Sequence, residues 1–318
     1  LEPATRIHRK LASMKVTVIG AGNVGATVAN CIVRANLADV VLVDIEEGLA
    51  QGKALDMAQA GAVLGYDRSI VGTSDYTLTE GSGVVVMTAG LARKPGMSRD
   101  DLVAKNRDIV SEVCTQVARH ASGAVLIMVT NPLDAMCHVA LKTTGFPRRR
   151  VIGMAGILDA ARFATFIGME LNVSRRDVRA MVLGGHGDTM VPLPRHTTVR
   201  GVPLTELADT ETIERLVERT RKGGGEIVGL LKSGSAFYAP GASAFEMVEA
   251  VLTDARRLVP CCVYTQGEYG LNDIPVGLPS ILGRNGLEKI VELDLAADER
   301  EALHASAEAV KSVIDGLG

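Results

Sequence analysis

A chain of 318 residues that is 47% hydrophobic and 22% charged can bury a large core without disulfide or metal staples. Its formal net charge of −3 excludes general nucleic-acid binding, and it requires local arginines wherever an anionic ligand is to be held. No apolar run approaches the length of a membrane span, which excludes a transmembrane helix.

The opening LEPATRIHRKLAS differs in character from the rest of the chain, and Met14 begins MKVTVIGAG like a natural start. Residues 1–13 are therefore read as a vector-derived extension or an upstream leader, with an amphipathic basic targeting segment as the alternative. Then strand and helix alternate. Lys15–Ile19 is a short β-branched run ending in glycines, Gly25–Ala35 is helical, Val40–Val43 is apolar and ends at Asp44, and residues 46–60 read as a helix. Val84–Thr88 and Val125–Thr130 are further continuous apolar runs, the kind a parallel sheet covered on both faces uses. The segment LARKPGMSRDD between them contains Pro95 and Gly96 and reads as a loop. Ser98 and Asp101 mark the start of a helix from about Arg99 to Ala121, with Arg93 on the loop before it.

The second half changes character. Leu158–Leu171 is helical, residues 178–183 form a strand running into GGHGD, and residues 211–232 and 242–258 are helical, the first weakened by Gly223–Gly225. Val276–Leu282, the turn Arg284-Asn285-Gly286 and Lys289–Leu293 read as an antiparallel hairpin, and residues 297–316 as a terminal helix. The expected fold is α/β: a doubly wound, Rossmann-type parallel sheet over residues 14–150, then an α+β unit with antiparallel strands over 151–318. The five cysteines, Cys31, Cys114, Cys137, Cys261 and Cys262, form no CxxC pair and sit mostly in apolar stretches. They read as free thiols of a reducing compartment, the cytoplasm.

Chemistry concentrates in a few places. Gly20-Ala21-Gly22-Asn23-Val24-Gly25 follows a strand and opens a helix, and Asp44 closes the next apolar run at about the expected 20-residue interval. In that setting the glycines allow a tight turn and close approach of a pyrophosphate to a helix N-terminus. Asp44 would accept the adenosine ribose hydroxyls and repel a 2′-phosphate, so NAD is expected over NADP. Arg93 and Arg99 flank a loop at the carboxyl end of a strand, where two guanidinium groups suit a small polyanion. Asp159 and Arg162 are spaced i, i+3, which by itself fits a surface ion pair as well as a shared site. His186, between glycines in LGGHGD, is open to close approach by a substrate and is the natural proton carrier near neutral pH. Asn131, before Pro132, closes an apolar run where an amide can reach a ligand, although Asn-Pro is also an ordinary turn. No Cys/His cluster has metal-ligand spacing, so no metal is expected.

GAGNVG, VLVDI, TAGLARKPGMSRDDL, VTNPLDA, GMAGILDAARF and LGGHGD stand in this order, with GEIVGLLKSGSAFYAPGAS further on. Together they resemble the lactate/malate dehydrogenase superfamily, in its lactate-dehydrogenase-like malate dehydrogenase branch, over nearly all of residues 14–318. The resemblance implies NAD-dependent, reversible oxidation of (S)-malate to oxaloacetate, a tricarboxylic acid cycle step, by a homo-oligomer, dimer or tetramer. It implies that His186 carries the proton and Asp159 orients it. Arg162 would clamp the C1 carboxylate, Arg99 polarise the carbonyl, and Arg93 occupy the position that is commonly Gln in lactate dehydrogenases. The implied cofactor contacts are the glycine-rich turn, Asp44, Asn106, Val129, Thr130 and Asn131, the last also touching substrate. Lactate as substrate, an NAD-dependent glycosidase that would need a metal, and a non-catalytic NAD sensor lacking His186 or Asp159 are the competing readings.

Overall fold

Short runs of Val, Ile and Leu cover themselves by lying side by side and taking helices on both faces, and the chain obeys that rule throughout its first half. The computed structural model describes residues 14–91 and 99–317, without the side chains of residues 99 and 100. Its elements in order begin β1 (Lys15–Ile19), α1 (Asn23–Arg34), β2 (Asp39–Val43), α2 (Glu47–Leu64), β3 (Ile70–Thr73), β4 (Val84–Met87), α3 (Arg99–His120), β5 (Val125–Met128), α4 (Leu133–Thr144) and β6 (Val151–Gly153). Next come α5 (Gly156–Glu170), β7 (Val178–Arg179), β8 (Val182–Leu183), β9 (Val191–Pro192), β10 (Thr198–Val199), β11 (Val202–Pro203) and α6 (Leu204–Leu207). The chain closes with α7 (Thr210–Leu231), α8 (Tyr238–Leu252), β12 (Arg257–Gln266), β13 (Asn272–Gly283), β14 (Gly286–Ile290) and α9 (Ala297–Asp315).

One nine-stranded sheet runs β14-β13-β12-β6-β5-β4-β1-β2-β3. Its strands from β6 to β3 are parallel, while β12, β13 and β14 join antiparallel. The chain winds outward from β1 through β2 to β3, then returns to place β4 on the other side of β1. That reversal opens a crevice at the carboxyl ends of β1 and β4, where ligands of such sheets are held. Successive residues feed opposite faces: Val84 and Val86 of β4 with Val125 and Ile127 of β5 join one core, with Val28 and Ile32 of α1 and Met247 and Val251 of α8. Val85, Met87, Leu126 and Met128 join the other, with Val110 and Val117 of α3 and Met136 of α4. A smaller core around Phe163 and Ile167 of α5, with Val178, Val182 and Leu216, packs α5 against α7.

Several elements differ from the sequence expectation, each for a physical reason. The helix expected over 46–60 continues to Leu64, because Gly65 (φ +78°) supplies the left-handed cap. Residues 178–183 are not one strand: β7 pairs with β10 and β8 with β9, so the chain changes partners at Ala180. The helix expected to reach residue 258 stops at Leu252, where Asp254 and Arg256 take positive φ and turn the chain into β12. The continuous Val259–Tyr264 run is buried between neighbouring strands, hence its lack of alternation. The hairpin forms, but with Gly286 already paired to Gly283, and β14 ends at Ile290 rather than continuing to Leu293. Helix α7 runs unbroken through Gly223–Gly225, and the missing side chains of Gly223 and Gly224 let it close onto Arg162 of α5.

Candidate active site

The glycine-rich turn sits at the carboxyl end of β1. Gly20 has φ +99°, and a side chain there would meet Thr88 Oγ1 at 2.7 Å, so the chain can turn this tightly only without a Cβ. A Cβ on Gly25 would run into the Gly20 carbonyl, which fixes how closely α1 packs on the turn. Gly22, by contrast, faces open space: nothing lies within 4 Å of where its Cβ would be. No side chain caps the start of α1 at Gly22, so its first N–H groups are left for an anion. Asp44, at the end of β2, accepts the Ala21 N–H at 2.6 Å and the Glu46 N–H at 3.0 Å, and Lys53 Nζ donates to the Ala21 carbonyl at 2.7 Å. The open Gly22, the uncapped helix start and the carboxylate at the rim fit a dinucleotide: pyrophosphate on the turn and ribose hydroxyls on Asp44.

The carboxyl ends of β4 and β5 form the crevice's other wall. Thr130 and Val129 are buried, and Thr130 Oγ1 donates to the Ala89 carbonyl at 2.6 Å. Asn131 is exposed at the rim before the cis bond to Pro132. Asn106 of α3 is buried and its amide is spent on the backbone: Oδ1 accepts the Leu91 N–H at 2.7 Å, and Nδ2 donates to the carbonyls of Leu91 and Asn131 at 3.1 and 2.7 Å. It therefore ties the strand-β4 loop to the end of β5. Arg93 lies outside the described residues, and α3 begins at Arg99, whose side chain lies outside them too.

His186, Asp159 and Arg162 are brought together. Asp159 occupies the first turn of α5, only 1% exposed, and its two oxygens serve two partners. Oδ2 meets His186 Nδ1 at 2.8 Å and Oδ1 accepts from Arg162 Nη1 at 3.0 Å. The i, i+3 spacing that fits a surface pair belongs here to a buried one. Arg162 keeps donors in reserve: its Nε is buried with no acceptor among the described residues. Cβ atoms on Gly223 and Gly224 would come within 3.3 and 3.4 Å of Arg162 Cδ and Nη2, so the α7 glycines form the wall against this guanidinium. Burial alone would depress the His186 pKa, but the Asp159 charge and hydrogen bond, with Asp134 adding in the same direction, raise it above its usual value despite Arg162 opposing.

Sequence reasoning missed the groups that hold the His186 loop. The Gly185 N–H donates to Ser306 Oγ of α9 at 2.8 Å, and the His186 N–H donates to Asp134 Oδ2 of α4 at 2.8 Å. An acidic residue in a helix's first turn is common on surfaces, so nothing in the local sequence marks Asp134 as buried. Burial pushes the Cys114 and Cys261 thiols up to about 12 and Cys262 well up as well, which leaves them inert. Among the described residues no cluster of three or more His, Cys, Asp or Glu could hold a metal ion, and no helix is long and apolar enough to cross a membrane.

A doubly wound sheet with this turn at its switch point defines a dinucleotide-binding protein, here with a histidine held between two carboxylates in the second half of the chain. Comparison with known proteins narrows the class. Residues 14–153 match the lactate/malate dehydrogenase NAD binding domain and residues 157–317 the lactate/malate dehydrogenase alpha/beta C-terminal domain, and the chain belongs to that family. It is 58% identical over 303 residues to a malate dehydrogenase of Thermomicrobium roseum, covering 95% of this chain and 98% of that one. The malate dehydrogenase structure from Salinibacter ruber superposes with a TM-score of 0.92 at 53% identity, over 96% of this chain and 97% of that one. A lactate dehydrogenase of Cryptosporidium parvum, complexed with lactic acid and nicotinamide adenine dinucleotide, gives 0.93 at 41% identity over 96% and 98%. The fold is thus common to both activities, and the choice of acid is made by side chains.

Proposed function

We propose that this chain is an NAD-dependent oxidoreductase that interconverts (S)-malate and oxaloacetate. The observation that carries the reading is the buried series Arg162–Asp159–His186, which joins an anion-gripping donor to a proton carrier within one small site. The names of relatives such as the Thermomicrobium roseum protein support malate as the acid.

Each residue has its own part in the reaction. Arg162 holds the C1 carboxylate and Arg99 and Asn131 the oxygen on C2, while Arg93 receives the second carboxylate. His186 takes the hydroxyl proton as C2 is oxidised and returns it in the reverse direction. Asp159 fixes the ring orientation through Nδ1 and stabilises the imidazolium, leaving Nε2 to face substrate. NAD bound at the glycine-rich turn supplies the hydride acceptor. Its contacts would come from Gly20, Ala21, Gly22, Asn23, Val24, Gly25, Asp44, Val129, Thr130 and Asn131. Asn106 acts in this reading by holding the crevice wall, because its amide already serves the backbone.

The division of labour runs along the chain: residues 14–150 hold the cofactor and 151–318 the acid–base machinery, although the sheet continues across residue 150. Leu55, Val63 and Leu64 of α2 are 60%, 85% and 54% exposed, an apolar surface that supports a homo-oligomer, dimer or tetramer. We place the activity in the cytoplasm, at the malate step of the tricarboxylic acid cycle.

A pH profile tests the acid–base assignment. Oxaloacetate reduction needs protonated His186, and the protonated form is held above the ordinary histidine value of 6.5. Its kcat/KM is expected to fall along an alkaline limb centred above 6.5, while malate oxidation rises along the same limb. A limb centred below that value would remove the Asp159–His186 coupling from the mechanism.

A further inference from the structure

Ala21 is gripped at both ends by side chains of opposite charge. Asp44, at the end of β2, accepts its N–H at 2.6 Å, and Lys53 Nζ, from α2, donates to its carbonyl at 2.7 Å. The second tie is the unusual one. Lys53 is half-buried, yet among the described residues it forms no ion pair: Asp44 holds the far end of Ala21, and Asp56, which lines the same cavity, does not bond to it. An ammonium held on a neutral carbonyl loses water and side-chain freedom without gaining a counter-charge. Residues 16–33 run from β1 through the turn to the last turn of α1 and contain no Lys or Arg. Lys53 is thus a cation that the fold carries to the turn from 32 residues further along the chain.

We infer that Lys53 is a positioning residue for the dinucleotide, and that the counter-charge it lacks is the pyrophosphate on the other side of the Ala21–Gly22 peptide, a role that rests on the placing of NAD at the glycine-rich turn. That peptide is trans, so its carbonyl and its N–H point in opposite directions. With the carbonyl drawn to Lys53, the Gly22 N–H is turned away from it, and among the described residues that N–H donates to nothing. The face of Gly22 is open, with nothing within 4 Å of where a Cβ would be. An anion on the Gly22 N–H completes a series in which ammonium, carbonyl, N–H and phosphate oxygen polarise one another. Lys53 also offsets Asp44, whose negative charge on the same residue opposes a polyanion at the turn.

The test titrates the intact protein with NADH by fluorescence, and with ADP by displacement of NADH, at low and at high ionic strength. Lys53→Met keeps most of the aliphatic bulk and removes the charge and the donor; Lys53→Arg keeps both. At low salt the Kd of Lys53→Met for NADH is expected to rise about tenfold, the worth of one hydrogen bond to a charged group. ADP, which carries the diphosphate without the nicotinamide half, should show the same loss. The deficit should shrink as salt screens the charge, and Lys53→Arg should recover most of the affinity. An unchanged Kd in Lys53→Met that is folded by circular dichroism, a deficit that salt does not alter, or a loss with NADH that ADP does not share each overturns the inference. If Lys53→Met does not fold, Lys53→Gln, also uncharged, is titrated in the same way, and failure of both to fold assigns the lysine to structure alone and overturns the inference. Wild-type protein that fails to bind NADH overturns the placing of the cofactor and the role of Lys53 with it, whereas wild-type protein that binds NADH without reducing oxaloacetate overturns the malate reading only.

Discussion

His186→Asn is expected to lower turnover in both directions by about a hundred- to ten-thousandfold, the range contributed by a positioned acid–base group, while NADH still binds with near wild-type affinity. The asymmetry comes from where things sit. The dinucleotide cradle is built from the turn after β1 and from Asp44, whereas His186 lies on the loop between β8 and β9 and touches neither. Asparagine retains a polar group near the Asp159 carboxylate but cannot carry a proton between substrate and solvent. The ring's other neighbour, Asp159, would keep its ion pair with Arg162, so the substrate grip should survive and KM should change far less than kcat. Steady-state kinetics beside a fluorescence titration with NADH checks both halves. Turnover close to wild type would remove His186 from the proton path, and lost NADH binding would mean the substitution had damaged the fold instead.

Arg93→Gln is expected to exchange one specificity for another. With oxaloacetate in place, the Arg93 guanidinium would be matched by the substrate's second carboxylate; with pyruvate it would be enclosed alone. Leaving one member of a buried charge pair unpartnered costs roughly 3–5 kcal/mol, on the order of a hundred- to a thousandfold or more in relative kcat/KM. Gln removes that penalty for pyruvate and the matching attraction for oxaloacetate. The oxaloacetate-to-pyruvate ratio should therefore fall steeply, through loss with the first and gain with the second. An unchanged ratio would take Arg93 out of substrate selection. Arg162 makes the contrast clear, since in the proposed reading its grip on C1 would be common to both acids and its replacement should weaken both together.

The cofactor half of the molecule is legible in the sequence almost directly, because a backbone that must turn at Gly20 and admit α1 at Gly25 tolerates no other residue, and that constraint leaves its mark on the chain. His186 is visible for a similar reason, lying among glycines. Its partners carry no such local mark: Asp159 is named by the family resemblance alone, and Asp134 by nothing in the sequence. Asp159 is 27 residues away and Asp134 is 52, and only the way β6, α5 and β8 pack decides that both carboxylates converge on one loop. The i, i+3 pair Asp159–Arg162 resembles many exposed helical pairs, and burial alone distinguishes it. Strand β12 is hidden because Arg256 and Arg257 read as the end of a helix, and its register against β13 is a long-range fact that no local pattern encodes. Helix α4 escapes notice because Asn131-Pro132 reads as a turn, and the helix after it has buried residues on most of its sides. Asn106, expected among the cofactor contacts, proves to have its amide spent on Leu91 and Asn131.

The most direct measurement is the oxidation of NADH by the purified wild-type protein, monitored at saturating cofactor with oxaloacetate and with pyruvate in turn. A dicarboxylate site predicts a kcat/KM for oxaloacetate at least about a hundredfold above that for pyruvate. Equal values, or a preference for pyruvate, would contradict it.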